Sequence, residues 1–341
     1  MVKNTTLSCA GLFEKGSIAD TRKIQITGKS TFIVTLPKKW VLDSKLRAGA
    51  ELGFSYQDDG SVLIVPPGYR EKQLVKKISA DRDFDCVERD ITALYILGNC
   101  QAIEIHGTEI TNEKRNMIRD LCKQLIGFEM VESSPGKIII RNLLSTEDFT
   151  LEKATKRMFS LVYLMFDDLI RVLNENDDIL CKDLISRGIE IDRTYFLISR
   201  VYLRKMNLKN HLAKEDLSLT QAFYYRMAAE EIDNTGDLIT KIAMCFENGN
   251  ASWELTSCMT ELCSTLKDLF RDSFESFKLT DIERSGQIIT RGKELGSCIE
   301  TARKEICFKE NARLDILFDS CIRIRDHISK IAKLSIELSH L

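Results

Sequence analysis

The segment that most strongly constrains the fold reads RKIQITGKSTFIVTLPKKW, from Arg22 to Trp40. From Thr31 to Leu36 every second residue is apolar, so an extended chain presents one apolar face. Gly28 permits the tight turn of a hairpin, since it adopts positive φ angles at little cost. Pro37 suits the first position of a helix, where its missing N–H is not needed. The segment therefore predicts two short strands followed by a helix.

A second hairpin is predicted directly afterwards. Asp58-Asp59-Gly60 is a turn signal, and the apolar run Ser61–Val65 behind it ends at Pro66-Pro67. We expect residues 1–17 to be a flexible leader and residues 18–68 to be one small β unit. A unit of this size buries too little apolar surface to be stable alone, which predicts pairing with a second copy.

Charge is distributed unevenly along the chain. Residues 1–50 contain nine Lys or Arg against three acidic residues, an excess of six positive charges. Because the whole chain has a net charge of −2, the remainder carries −8. A basic head suits a polyanionic partner such as DNA. The alternative is a dimerisation barrel whose lysines only protect exposed strand edges.

This head resembles the SpoVT/AbrB-type DNA-binding domain, a family of swapped-hairpin β-barrel dimers. The residues that carry the resemblance are Arg22, Lys23, Ser30, Leu36, Pro37, Lys38, Trp40, Leu46 and Gly49. The resemblance implies contacts to DNA phosphates or base edges from Arg22, Lys23, Lys29, Ser30, Lys38, Lys39 and Arg47. It does not indicate a target sequence.

Residues 69–148 predict a small α/β segment. The expected elements are a helix over 69–98, a strand over Ala102–His106, a helix over Glu113–Ile126, and paired strands over Phe128–Glu132 and Lys137–Arg141. The segment contains no glycine-rich motif of the kind that binds phosphate groups.

From residue 149 onward the apolar residues follow a helical period, and no proline interrupts it. Two pairs of segments are similar in the same order: Arg187–Asp192 with Arg291–Gly296, and Gly236–Ala243 with Arg325–Ala332. This repetition predicts a duplicated bundle of three helices, with one copy over 149–250 and the other over 251–341.

An acidic row is predicted in the third helix of the first copy. Arg226, Glu230, Asp233 and Asp237 are spaced by four, three and four residues, so they lie along one side of the helix. Carboxylates in such a row repel one another unless a cation joins them. Asp192 falls within an apolar stripe of the preceding helix, where it needs a partner. The alternative is a solvated face with Arg226 as the local partner.

The duplicated body resembles the PhoU family of phosphate-signalling regulators, whose two three-helix bundles can hold metal clusters on E/D-x-x-x-D motifs. The resemblance implies divalent or iron-type metal ions in the first copy, bound by Asp192, Glu230, Asp233 and Asp237. In the second copy Gly296 and Ile322 stand where acidic residues are needed. We therefore do not expect a metal site there.

The order of head, α/β segment and helical body resembles archaeal PhoU-type regulators with an AbrB-like domain. The expected fold is multidomain and mainly α. The resemblance implies a homodimeric, DNA-binding transcriptional regulator of phosphate uptake or homeostasis. The alternative is an adaptor that does not bind DNA and docks on a phosphate transporter or sensor kinase. We do not expect an enzyme, because no nucleophile–base arrangement is recognisable and the chain has four histidines.

The cysteines and apolar runs indicate a cytoplasmic protein. The chain contains 11 cysteines but no CxxC pair, and its histidines fit no zinc motif, so free thiols are expected. No apolar run approaches the roughly 18 residues that a membrane-spanning helix needs. We expect His327, beside Asp326, to be a surface or capping residue, and Trp253 to lie in the core.

Overall fold

A computed structural model of the chain describes residues 21–28, 30–56, 60–66, 74–143, 149–206, 217–247, 252–306 and 312–341. It divides the chain into two units, residues 1–70 and residues 71–341. The expected leader 1–17 and the candidate DNA contact Lys29 lie outside the described residues.

The first unit consists of two hairpins and a short helix, as predicted. Its elements are β1 (Gln25–Thr27), β2 (Thr31–Ile33), α1 (Lys38–Asp43), β3 (Gly53–Tyr56) and β4 (Val62–Val65). Strands β1 and β2 pair antiparallel on either side of Gly28, which has a φ of 64°. Strands β3 and β4 also pair antiparallel, and the two hairpins form separate two-stranded sheets. The described residues of one chain therefore do not close a barrel.

The second unit begins with the α/β segment. Its elements are β5 (Leu74–Ser79), α2 (Phe84–Leu97), β6 (Cys100–His106), α3 (Asn112–Gln124), β7 (Phe128–Ser134) and β8 (Lys137–Asn142). They form a four-stranded sheet in the order β5-β6-β8-β7, in which only β5 and β6 are parallel. The helix α2 supplies the crossover that a parallel pair requires.

The prediction of a helix over 69–98 is wrong for its first part. Residues Leu74–Ser79 form an edge strand, with Ile78 beside Ile105 of β6, and the helix begins only at Phe84. Lys76 and Lys77 are exposed on this strand. Charged residues are common on edge strands because they prevent pairing with other chains, and here they disguised the strand pattern.

The body contains six long helices among its described residues. They are α4 (Leu151–Glu175), α5 (Asp178–Met206), α6 (Leu219–Phe246), α7 (Trp253–Leu279), α8 (Ile282–Ile306) and α9 (Ala312–Leu338). Helices α4–α6 form one bundle and α7–α9 the other, while α4 packs on α7 and α6 on α9. One continuous apolar core runs through both bundles. Within the described residues, no helix has the length and apolar character needed to cross a membrane.

Equivalent ion pairs support the duplication of this body. In the first bundle Arg187 of α5 pairs with Asp168 of α4. In the second bundle Arg291 of α8 pairs with Asp272 of α7, with 3.1 Å between Nη1 and Oδ2. Both partners of the second pair lie 104 positions after those of the first. The two bundles thus retain the same link between their first and second helices.

Two equivalent glycines show that the second helix packs on the third helix in the same register in both bundles. A Cβ built on Gly188 would lie 3.6 Å from Thr240 Oγ1, and one built on Gly292 would lie 3.0 Å from Ser329 Oγ. These are the positions that the sequence similarity matched. Residues can therefore be compared between the copies one by one.

A buried arginine joins the α/β segment to the first bundle. Arg200 of α5 is only 1% exposed, and its guanidinium carbon lies 4.6 Å from the centre of the Tyr95 ring and 5.2 Å from that of Phe128. Burial lowers the pKa of Arg200 from its ordinary value. Within the described residues its Nε and Nη1 have no hydrogen-bond partner. The two aromatic faces therefore provide the compensating interaction for the buried charge.

We predict that Arg200→Ala lowers the free energy of unfolding by about 2–4 kcal/mol, because it leaves a cavity and removes both cation–π contacts. Urea denaturation measures the effect. The control is Arg157→Ala, which removes an exposed ion pair with Glu190 (3.0 Å) and should cost less than about 1 kcal/mol. Equal losses in the two variants would show that Arg200 is not a structural link.

Candidate functional site

The described cations of the first unit are all exposed. Arg22 and Lys23 precede β1, Lys38 and Lys39 lie in the first turn of α1, and Arg47 follows that helix. The candidate Ser30, in the turn between β1 and β2, is exposed as well. None of these side chains is covered by the unit itself, so they are accessible to a polyanion.

The same unit exposes its apolar residues. No described side chain between residues 21 and 66 is buried, and Phe32 and Tyr56 are 70% and 83% exposed. Ile24, Ile26 and Phe54 are also largely exposed. A β unit with this surface lacks the buried apolar area that stabilises a fold. Within the described residues, the two hairpins therefore have no buried core of their own.

Three of the four candidate metal ligands come together between α5 and α6. Burial, followed by the negative charges of Asp192 and Asp237, raises the pKa of Asp233 to about 7. Burial raises the pKa of Asp237, and burial together with Asp237 raises that of Asp192. The Oδ1 atom of Asp233 is buried without a hydrogen-bond partner among the described residues.

Glu230 is directed elsewhere. Its Oε2 accepts a hydrogen bond of 2.8 Å from Nη1 of Arg226, and the guanidinium of Arg226 lies 4.5 Å from the centre of the Tyr195 ring. Arg226 is therefore the local partner of this carboxylate. Asp192 is only partly buried and reaches the surface, as does Ile189 beside it, so Asp192 is not enclosed in an apolar stripe.

The carboxyl groups do not form a metal centre as they are arranged. Across the described residues, no group of three or more His, Cys, Asp or Glu side chains has the geometry to hold a metal ion. The unpartnered Oδ1 of Asp233 could accept a cation or a proton. The structure thus gives no support to the predicted metal, which stays a prediction from the resemblance.

A buried His–Glu pair was missed by the sequence reasoning. His327 of α9 is 8% exposed, not at the surface, and its Nδ1 lies 2.5 Å from Oε2 of Glu231 on α6. Lys330 approaches the same oxygen to 3.3 Å. The apolar neighbours Ile324, Ile328 and Ile331, which share the buried side of α9, were the available signal. The pair joins the third helices of the two bundles.

Trp253 is a second correction, since its side chain is 79% exposed at the start of α7 and not in the core. Phe270, Phe274 and Phe277 of the same helix are buried. Trp253 is the first residue of the helix and precedes its first buried residue, Leu255. The apolar period of the helix therefore did not predict its burial.

Two family models match separate parts of the chain. The model described as PhoU domain matches residues 155–246, which contain most of the first three-helix bundle. The model described as "Antidote-toxin recognition MazE, bacterial antitoxin" matches residues 25–72, which begin at β1. No curated protein matches this chain.

Solved structures are similar to more than half of the chain. The crystal structure of PhoU from Pseudomonas aeruginosa is 17% identical with a TM-score of 0.50, over 57% of this chain and 98% of that chain. The phosphate transport system regulatory protein PhoU from Streptococcus pneumoniae is 18% identical with a TM-score of 0.45, over 55% of this chain and 92% of that chain. At this identity the first similarity establishes the fold alone.

We predict a pH-dependent stability that depends on Asp233. Its pKa in the folded state, about 7, lies above the ordinary value of 3.8, so the fold prefers the protonated form. Stability is therefore lost as the pH rises from about 4 to about 7 and changes no further above that range. The Asp233→Asn variant has no carboxyl group to ionise at this position, so it does not lose stability in this way. Above pH 7 its free energy of unfolding should exceed that of the wild type by about 1–3 kcal/mol, and this difference should shrink toward pH 4.

Urea denaturation across this pH range, with a chelator present, measures the difference. The matched control is Asp319→Asn, at an exposed position on α9, which should follow the wild type. A constant difference between Asp233→Asn and the wild type at every pH would contradict the assignment.

Proposed function

We propose that this chain, which carries a MazE/AbrB-type domain followed by a PhoU domain, is a DNA-binding transcriptional regulator of phosphate uptake or homeostasis. Paired N-terminal units contact DNA, and the helical body senses or relays phosphate status. The observation that carries the proposal is that one small unit exposes both its cations and its apolar residues.

The exposed cations support a polyanionic partner. Phosphate contacts need Lys or Arg side chains at the surface, with hydroxyls such as that of Ser30 beside them. Arg22, Lys23, Lys38 and Lys39 meet this requirement in the described structure. Cations that only protected strand edges would lie on the strands. These four basic residues instead lie outside strands β1 to β4.

The exposed apolar residues support pairing between two copies. The MazE/AbrB-type match and the incomplete burial of both hairpins favour a swapped-hairpin barrel made by two chains. Such a homodimer doubles the number of cations on one surface, which strengthens DNA binding. A two-fold symmetric unit also suits a DNA site with two half-sites.

A second candidate is an adaptor that docks on a phosphate transporter or sensor kinase without binding DNA. The PhoU match favours it, because it falls in the body, which forms most of the chain. In this case the head only dimerises. Phosphate-dependent recovery of such partners with no DNA bound would favour the adaptor.

We predict that changing Arg22, Lys23, Lys38 and Lys39 together to Ala weakens DNA binding and reduces its salt dependence. The slope of log K against log salt is negative, and each lost phosphate contact should make it shallower by about 0.9. Electrophoretic mobility shifts of a mixed-sequence duplex pool between about 50 and about 200 mM salt measure both quantities.

The control variant removes the same number of positive charges from exposed positions of the second unit: Lys123, Lys153, Lys156 and Lys182. It should bind DNA like the wild type. If the head variant retains the wild-type affinity and slope, or if both variants lose them equally, the head is not the DNA-binding surface.

A further inference from the structure

The second bundle contains an open groove between α8 and α9 that the proposed function does not use. Its volume is about 510 Å³, within the range of small-molecule sites. The lining includes three cations and two hydroxyl groups, from Lys293, Ser297, Thr301 and Lys304 of α8 and Arg325 of α9. A single carboxylate, that of Glu300, accompanies them.

Within the described part of the chain, the two lysines of the groove have no ionic partner. Among the described residues, neither Lys293 nor Lys304 has a carboxylate oxygen within 4 Å, although many other cations of the body do. The groove therefore has an excess of two positive charges over Glu300. Unpaired cations around a recess attract an anion more strongly than the same charges in surface ion pairs.

Arg325 lies in a recess that a glycine creates. A Cβ built on Gly296 would lie 2.7 Å from Nη1 of Arg325, so a larger residue at this position requires the end of the arginine side chain to shift. The side chain is only 20% exposed, and Nη2 pairs with Asp326 at 3.0 Å. Nη1 has no hydrogen-bond partner among the described residues. A guanidinium held in this way presents a fixed donor to an oxyanion.

The equivalent face of the first bundle has the opposite charge. Gly296 corresponds to Asp192, Ile322 to Asp233 and Arg325 to Gly236 in the register that the two copies share. Of the three carboxyl groups in the first copy, only one has an acidic counterpart in the second, Asp326, which forms an ion pair with Arg325. The duplicated scaffold has changed from an anionic face to a cationic groove.

The spacing of the cations indicates an elongated ligand. Lys293 and Lys304 are eleven residues apart on α8, about 16 Å along the helix axis. Arg325 packs on Gly296, between them along the helix. The hydroxyls of Ser297 and Thr301 follow the same side of α8 one turn apart, and each now donates to a helix carbonyl. A chain of phosphates can contact several cations along this row at once, so it suits the row better than a single phosphate does.

We propose that this groove binds a polyphosphate group, either inorganic polyphosphate or the phosphate chain of a nucleotide. Binding is electrostatic, with Lys293 and Lys304 at the two ends and Arg325 between them, nearer to Lys293. The inference deepens the proposed function, on which it rests for its meaning, by giving the helical body a phosphate-containing effector. The binding itself is independent of DNA and is measured without it.

The test is calorimetric titration of the full chain with tripolyphosphate, ATP and orthophosphate, in a buffer without divalent cations. The basic head could also bind polyanions. All titrations therefore use a chain that carries Arg22→Ala, Lys23→Ala, Lys38→Ala and Lys39→Ala, which we call the head-variant background. We expect one tripolyphosphate per chain on this background, with orthophosphate binding at least about tenfold more weakly. Equal affinity for ATP and tripolyphosphate would assign recognition to the phosphates alone, whereas tighter ATP binding would identify a nucleotide.

Lys293→Ala combined with Lys304→Ala should weaken tripolyphosphate binding at least about tenfold on this background. The control is Arg323→Ala combined with Lys333→Ala, which removes two exposed charges of α9 outside the groove and should change nothing. Gly296→Ala tests the recess, since the added methyl displaces Arg325 and should also weaken binding.

The proposal is overturned if tripolyphosphate does not bind on the head-variant background, if the groove variant binds it unchanged, or if both charge variants weaken it equally. It is also overturned if orthophosphate binds as tightly. Each of these results leaves DNA binding by the head unaffected, so failure of the groove is distinguishable from failure of the proposed regulator.

Discussion

Within the described residues the N-terminal hairpins bury none of their apolar side chains, and the proposed pairing of two copies depends on this property. Apolar burial is the main favourable contribution to folding, yet no described side chain of the first unit is buried. The second unit is different, with one core under its α/β sheet and another through its two bundles. The proposed pairing of two heads would supply the apolar burial that one head lacks.

The two copies of the helical body share their structural contacts but differ in the chemistry of their outer faces. The ion pairs Arg187–Asp168 and Arg291–Asp272 and the two glycine contacts keep both bundles in one register. The outer faces are unlike. In the first bundle burial, together with the charges of Asp192 and Asp237, raises the pKa of Asp233, whereas in the second bundle the groove is lined by Lys293, Lys304 and Arg325. The His327–Glu231 pair then joins the bundles through their third helices.

Local patterns predicted most elements but not the contacts between them. Alternation and turn residues predicted both hairpins, and the helical period predicted the six long helices. The period failed where a short edge strand, Leu74–Ser79, carries two lysines. Burial of His327 and Arg200 depends on neighbouring helices and on the α/β segment, which no local pattern contains. Three acidic candidates converge, but their geometry depends on how α5 and α6 pack, and Glu230 pairs with Arg226 instead.

Sedimentation velocity of the full chain tests pairing through the head most directly. We predict a dimer at micromolar concentration for the wild type, and at least about tenfold weaker association for Phe32→Asp, which places a charge on the exposed apolar face. Ile179→Asp, at an exposed apolar position in α5, is the matched control and should remain dimeric. A wild type that is monomeric at all concentrations, or a Phe32→Asp variant that associates like the wild type, would contradict the central claim.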